Sequence, residues 1–181
     1  MLELNTERLY LRTLVDTDWP LFLRLHREPQ TMQYVFGEIG EEMIRKGFDH
    51  RLPAWTPQSD HWLCLVVIDT LSGQELGVSG FRIMSPGHAE VGCLLLPEHQ
   101  GKGYGTESRL AIIDYAAAIG LDSLESTVTD GNIASCKVLE KCGFSFEQRV
   151  PQAYQIGDQW FDDLIYTLPL EPVRSAARPS S

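Results

Sequence analysis

The chain of 181 residues has no apolar run near the roughly 18 residues that a membrane-spanning helix needs. Its opening stretch, Met1 to Arg8, shows no basic-then-apolar leader pattern, and the two features together predict a soluble cytoplasmic protein. Cysteine is scarce. Cys64, Cys93, Cys136 and Cys142 make no CxxC pair, and no Cys/His group has zinc-ligand spacing, so buried free thiols are expected rather than disulfides or a metal site. Positive charge is short too: 15 Lys and Arg against 25 Asp and Glu leave a net charge of −10, which argues against nucleic-acid binding through a basic face. His26, His50, His61, His88 and His99 have no triad or metal spacing. Repeats and low-complexity segments are also missing.

What remains is enough chain for one domain with a substantial core. Arg8 to Leu14 alternates apolar and polar residues, as a half-buried strand does. Trp19, Phe22, Leu23 and Leu25 recur at helical spacing behind Asp16 or Thr17 as a cap, and a second helix is expected from about Gly40 to Arg51. The apolar run His61–Asp69, the turn at Leu71 to Gly73 and Glu75–Arg82 read as a hairpin; Ala89–Leu96 follows as a third strand. Next come a helix with Leu110, Ile113 and Ala117 on one face, ending at Gly120, a short strand at Asp122–Val128 and a helix at Asn132–Cys142 stopped by Gly143. Phe144–Ile156 and Trp160–Leu168 close the pattern as a hairpin around Gly157 and Asp158. The expected domain is residues 1–168, with a frayed tail over 169–181. The order is that of a mixed α+β fold on one central sheet.

Gln100 to Thr106 (Gln-Gly-Lys-Gly-Tyr-Gly-Thr) lies between the strand ending at Leu96 and a helix. Alternating glycines there expose backbone N–H groups at the positive end of a helix dipole, which suits a diphosphate. No GxxxxGK[ST] string exists, and GxGxxG fails because Thr106 takes the last position. A plain strand-to-helix turn and a nucleotide-binding module remain alternatives on the loop alone.

Its neighbours narrow the choice. Glu90-Val-Gly, Leu96-Pro97 and the loop itself resemble the pyrophosphate loop of the GNAT acetyltransferases. Asn132-Ile-Ala-Ser135, followed by Lys141-Cys-Gly-Phe144, is similar to that family's Asn-x-x-Ser … Lys-x-Gly-Phe segment. Thr6 to Arg12 with Asp18, and Gly157 to Asp162 with Tyr166, resemble the two ends of its RimJ/RimL-like branch. The resemblance covers about residues 4 to 168. It implies a twisted, mostly antiparallel sheet of about seven strands flanked by about four helices, with acetyl-CoA as co-substrate and no metal.

The resemblance also implies roles. The backbone of Gln100, Gly101, Lys102, Gly103, Tyr104, Gly105 and Thr106 would bind the pyrophosphate. The edge at Leu94, Leu95 and Leu96 would pair with the pantetheine amides, as an added strand does. Lys102 is either a phosphate partner or a solvated lysine. Glu90 stands where histone-acetylating members carry a base, and the competing reading is a strand-end hydrogen bond. The tyrosine that many members use as the acid maps to Leu139, so Ser135, oriented by Asn132, is the candidate beside the departing thiolate; both are also ordinary helix-capping residues. Tyr154, Trp160 and Asp162 on the closing hairpin would border the acceptor cleft. Glu38, Glu41 and Glu42 read as a solvated helix face. The implied reaction is direct attack of a primary amine (a protein N-terminus or a small molecule) on the thioester in a ternary complex. No nucleic-acid or membrane partner is expected, and the protein would be a monomer or homodimer. A non-catalytic acyl-CoA sensor with the same fold is the alternative.

Overall fold

Leu63, Leu65 and Val67 alternate with Cys64 and Val66 along one strand, and all five are buried. A strand buried on both sides needs cover on both faces of its sheet. The computed structural model, which describes residues 1–35 and 39–171, shows that cover. Its strands are β1 (Glu3–Asn5), β2 (Leu9–Thr13), β3 (Leu63–Asp69), β4 (Glu75–Ser85), β5 (His88–Leu95), β6 (Ser123–Thr129), β7 (Ser145–Ile156) and β8 (Gln159–Pro169). Its helices are α1 (Trp19–Arg27), α2 (Pro29–Met32), α3 (Glu41–Asp49), α4 (Tyr104–Ala118) and α5 (Ile133–Lys141).

The strands form one sheet in the order β1-β2-β3-β4-β5-β6-β8-β7, antiparallel throughout except for the β5–β6 pair. Leu65, Val67, Ala89, Val91 and Leu124 face a core shared with Ile112 and Ala116 of α4 and Leu139 of α5. Cys64, Val66 and Val78 face the other way, against Leu21, Phe22 and Leu25 of α1 and Ile44 and Phe48 of α3. The sheet is thus sandwiched between two helical layers.

Two elements exceed the expectation of seven strands and four helices: β1, three residues paired to β2, and α2, a single turn beginning at Pro29. Both are too short to leave a periodic signal. The turn into α1 is held by Asp18 rather than by Asp16 or Thr17. Its buried carboxylate accepts from the Val15 N–H at 2.8 Å and pairs with both terminal nitrogens of Arg12, also at 2.8 Å. The inward side of α4 also differs from expectation. Ser108, Arg109, Ile112 and Ala116 are its buried residues, whereas Leu110 is exposed. Apolar residues occur on most sides of this helix, so periodicity alone does not choose its inner face. Glu41 and Glu42 are exposed and paired with Arg27 and Lys46; Glu38 lies outside the described residues. At the other end Pro169 still belongs to β8, and the Leu170 N–H donates to the Asp122 carbonyl at 2.8 Å. The tail expectation from 172 onward falls outside the described residues. Among the described residues no helix is long and apolar enough to cross a membrane.

One break in the sheet makes the site. β5 and β6 pair over three residues only, His88 to Glu90 against Ser123 to Glu125. Beyond them β5 continues to pair with β4, and β6 with β8, but not with each other. The two strands part, and a cavity of about 660 Å³ opens along the split.

Candidate active site

The split leaves the Val91–Leu95 edge of β5 without a strand partner on its β6 side. An open edge of this kind can receive an extended amide chain as one more strand. The edge leads through a short turn, Pro97–His99, into the glycine loop and then α4. Gly101 and Gly103 have φ of 70° and 83°, the left-handed region that glycine enters without a Cβ penalty. They turn the chain so that the first N–H groups of α4, which have no intrahelical partner, lie at its start.

The loop is braced from behind. Arg8 Nη1 donates to the Lys102 carbonyl at 3.1 Å, Arg8 Nε donates to Glu107 at 2.7 Å, and the same guanidinium lies 4.6 Å from the Tyr104 ring centroid. Glu107 also accepts from Thr6 Oγ1 at 2.6 Å and from the Arg8 N–H at 2.8 Å. These hydrogen bonds hold its carboxyl below the usual glutamate range against the opposing effect of burial. Gln100 uses its side-chain amide on the Leu95 carbonyl, at 2.9 Å.

Asn132 and Ser135 line the split opposite that edge. Asn132 caps α5, its Oδ1 accepting from the Ser135 N–H at 3.2 Å, so the capping role and the position at the cavity coexist. Leu139 is wholly buried in the core and does not reach the cavity wall.

The same side holds a group that the sequence reading passed over. Arg109 of α4 lines the cavity and is 6% exposed, and its Nε and Nη1 have no hydrogen-bond partner among the described residues. Burial pushes its pKa down, with the Cys93 and Cys142 thiols as its ionisable neighbours. A lone cation directly before the apolar run Leu110 to Ile113 was the available signal.

The cavity wall also holds a set of carboxylates. Glu90, four-fifths buried on β5, accepts from Arg82 Nη2 at 2.9 Å and faces the cavity. Asp163 on β8 joins it there, with its carboxyl pushed above the usual aspartate range by burial first, then by Asp162 and Glu90. The expectation placed Asp162 at this cleft; the residue in the cavity wall is its neighbour, Asp163. Successive strand residues point to opposite faces. Asp162 binds Arg149 Nη1 at 2.9 Å and the Gln152 N–H at 2.9 Å, outside the cavity wall. Trp160 is likewise outside it, 53% exposed beside the hairpin turn.

Tyr154 does line the cavity. Its hydroxyl is hydrogen-bonded to Thr129 Oγ1 and donates to the Tyr34 carbonyl at 3.3 Å, tying β7 and β6 to the segment after α2. His26, also in the wall, is stacked on Phe22 with centroids 4.2 Å apart, its Nδ1–H donating to the Phe22 carbonyl at 2.8 Å. Burial lowers its pKa and favours the neutral ring. None of the four free thiols forms a nucleophile–base pair with a histidine here; complete burial pushes Cys64 up to about 12, and burial raises Cys142 as well. No cluster of three or more metal-ligating side chains occurs among the described residues.

An open strand edge, a left-handed glycine loop at a helix start, and an orphaned buried guanidinium between them fit a thioester donor with amides in its arm and phosphates at its far end. The carboxylates on the opposite face fit an amine. Comparison with known proteins points the same way. The chain is 29% identical over 117 residues to the L-methionine sulfoximine/L-methionine sulfone acetyltransferase of Pseudomonas aeruginosa, covering 62% of this chain and 68% of that one. An acetyltransferase of the GNAT family from Bacillus anthracis superposes with a TM-score of 0.81 at 23% identity, over 93% of this chain and 98% of that one. A spermidine N-acetyltransferase from Vibrio cholerae, in complex with CoA and spermine, gives a TM-score of 0.79 at 22% identity over 92% and 98%. At these identities the two structures share the fold. The profile of the acetyltransferase (GNAT) domain matches residues 8–145, which takes in the split, the glycine loop and both carboxylate-bearing and amide-bearing ends of β5, and the chain belongs to the GNAT acetyltransferase family.

Proposed function

We propose that the chain transfers an acetyl group from acetyl-CoA to a primary amine, either a protein N-terminal α-amine or a small molecule, by direct attack in a ternary complex, as a RimJ/RimL-like member of its family. The observation that carries this reading is the position of Glu90. It lies where β5 and β6 part, at one end of the open edge, and the glycine loop lies beyond the other end. A thioester laid along that edge with its phosphates at Gln100 to Thr106 has its reactive end near this carboxylate.

Acetyl-CoA supplies the activated acyl group. The protein's own residues do the rest. Glu90, directly or through water, takes the proton from the amine, whose nitrogen lone pair must be free to attack. An α-amine with a pKa of about 8 needs less of this help than a lysine at about 10.4. As the C–N bond forms and the C–S bond breaks, the thiol gains one proton for the one the amine loses. Ser135, oriented by Asn132, is the donor placed on that side. Arg109 lowers the cost of the developing thiolate by its charge.

The test is release of CoA from acetyl-CoA over a panel of peptides with free N-termini, polyamines and aminoglycosides, repeated with Glu90→Gln and Ser135→Ala. Loss of rate without loss of acetyl-CoA binding supports the assignment; full rate in both variants overturns it. The buried Leu139 in place of the family's tyrosine favours one second reading, an acyl-CoA sensor. It predicts tight acetyl-CoA binding that no amine converts into CoA release.

A further inference from the structure

The acceptor half of the cavity carries charges of both signs, and they are sorted. Arg51, just past α3, lines the wall. Its Nη1 donates to the Gly47 carbonyl at 2.5 Å, its guanidinium lies 5.6 Å from the Phe22 ring centroid, and no carboxylate pairs with it among the described residues. Arg82 is close enough for its charge to oppose that of Arg51. Arg82 lies outside the cavity wall and in turn holds Glu90, its Nη2 donating at 2.9 Å. Asp163 follows, near enough to feel the charge of Glu90. The order along the wall is thus one guanidinium, Arg51, then two carboxylates, Glu90 and Asp163.

This order discriminates among amines. A polyamine brings several cations and gains from carboxylates, but meets Arg51 as a like charge. A peptide N-terminus brings an amine without a free carboxylate, and leaves Arg51 unpaired in a wall from which the substrate has displaced water. A free α-amino acid carries both signs on one carbon. Phe22, Val35 and Ile156, also in the wall, supply apolar surface for its side chain.

We propose that the acceptor is a free α-amino acid with a neutral side chain, its carboxylate held by Arg51 and its amine turned toward Glu90 and Asp163. The inference rests on the acetyl-transfer reading and narrows it to one substrate class. Arginine presents a planar fork suited to a carboxylate and stays charged despite burial.

The experiment measures CoA release with the full chain and acetyl-CoA, offering neutral L-amino acids beside their α-amides, their decarboxylated amines, spermidine and short peptides. Amidation lowers the pKa of the amine, so without carboxylate recognition the amide is the better acceptor. The expected result is the reverse: kcat/KM for the acid exceeds that for its amide by about 100-fold, the loss typical of unpairing a buried charge. In Arg51→Met the ratio falls to near one, chiefly through KM of the acid, and the amino acid no longer raises the melting temperature of the CoA-bound protein. The wild-type ratio decides the matter even if that variant fails to fold. Equal or faster turnover of amides, peptides or spermidine overturns the amino-acid assignment and leaves acetyl transfer standing. No CoA release with any amine overturns both.

Discussion

The two halves of the cavity are built by different means. The donor half is mostly backbone: an unpaired strand edge, a glycine loop and the first turn of a helix, with Asn132 and Ser135 across from them. The acceptor half is mostly side chains gathered from far apart in the chain: Arg51 after α3, Glu90 on β5, Tyr154 on β7 and Asp163 on β8. Backbone recognition serves any ligand with the same amides and phosphates, so it suits a common co-substrate. Side-chain recognition changes with single substitutions, so it suits whatever differs among relatives. One half tells what the reaction uses, the other what it acts on.

The largest expected effect falls where the halves meet. Glu90→Gln keeps the shape and removes the proposed base, and kcat/KM for the amine should fall about 100- to 1,000-fold while acetyl-CoA affinity, measured by calorimetry, stays within about twofold of wild type. An equal loss in acetyl-CoA binding would place Glu90 in the donor half instead. Arg109→Met tests a donor-side group that is a buried charge. An unpaired buried cation replaced by an apolar side chain is expected to stabilise the free protein by about 1–3 kcal/mol in chemical denaturation. The same change should slow acetyl transfer, because the thiolate loses its nearby positive charge. A destabilised variant would show that Arg109 is paired in solution. Gly103→Ala places a Cβ at φ 83°, about 3.2 Å from Arg8 Nη2. The strain of about 1 kcal/mol should weaken acetyl-CoA binding roughly fivefold and leave KM for the amine alone. A change in amine KM of the same size would mean that the halves are coupled through the loop.

This division also explains what could be read from the sequence. Gln100 to Thr106 is contiguous, and its glycines are required by local geometry, so the donor half has a local signature. All seven longer strands follow from periodicity and turn signals. The acceptor half depends on strand phase and on partners distant in sequence. At Asp162 and Asp163 the same residue type occupies both faces of β8, so composition does not say which aspartate turns inward. The phase of its partner is broken as well: β7 shifts register against β8 between Phe146 and Gln148 and again between Val150 and Tyr154, where Gln152 has φ 47°. Arg109 was hidden for a related reason. A helix that is apolar on most sides does not announce its inner face, and a charged residue on it reads by default as solvent-exposed.

The two adjacent aspartates allow the finest test of the division, through stability rather than rate. Asp163 has its carboxyl pushed up by burial and by the charges of Asp162 and Glu90. A raised folded-state pKa means that the native protein binds the proton more tightly than the unfolded chain does, so stability is lost as pH rises through that pKa. Asp163→Asn removes the loss; the variant should melt above wild type at pH 7, with the gap closing as pH falls toward about 4, the ordinary aspartate value. Asp162 has the opposite shift, its carboxyl held down by the Gln152 N–H and by Arg149. Its contribution is present above the ordinary aspartate range and lost as pH falls through the folded-state pKa, so Asp162→Asn should melt below wild type at pH 7 and converge with it in acid. Thermal melts from pH 3 to pH 8 check both signs. Neighbours in sequence with opposite effects would mark Asp163 as a group that the fold carries at a cost in stability, as a residue kept for an acceptor's amine would be. If both substitutions lower the melting temperature at pH 7, Asp163 is a structural aspartate like its neighbour, and the carboxylate end of the acceptor half reduces to Glu90 alone.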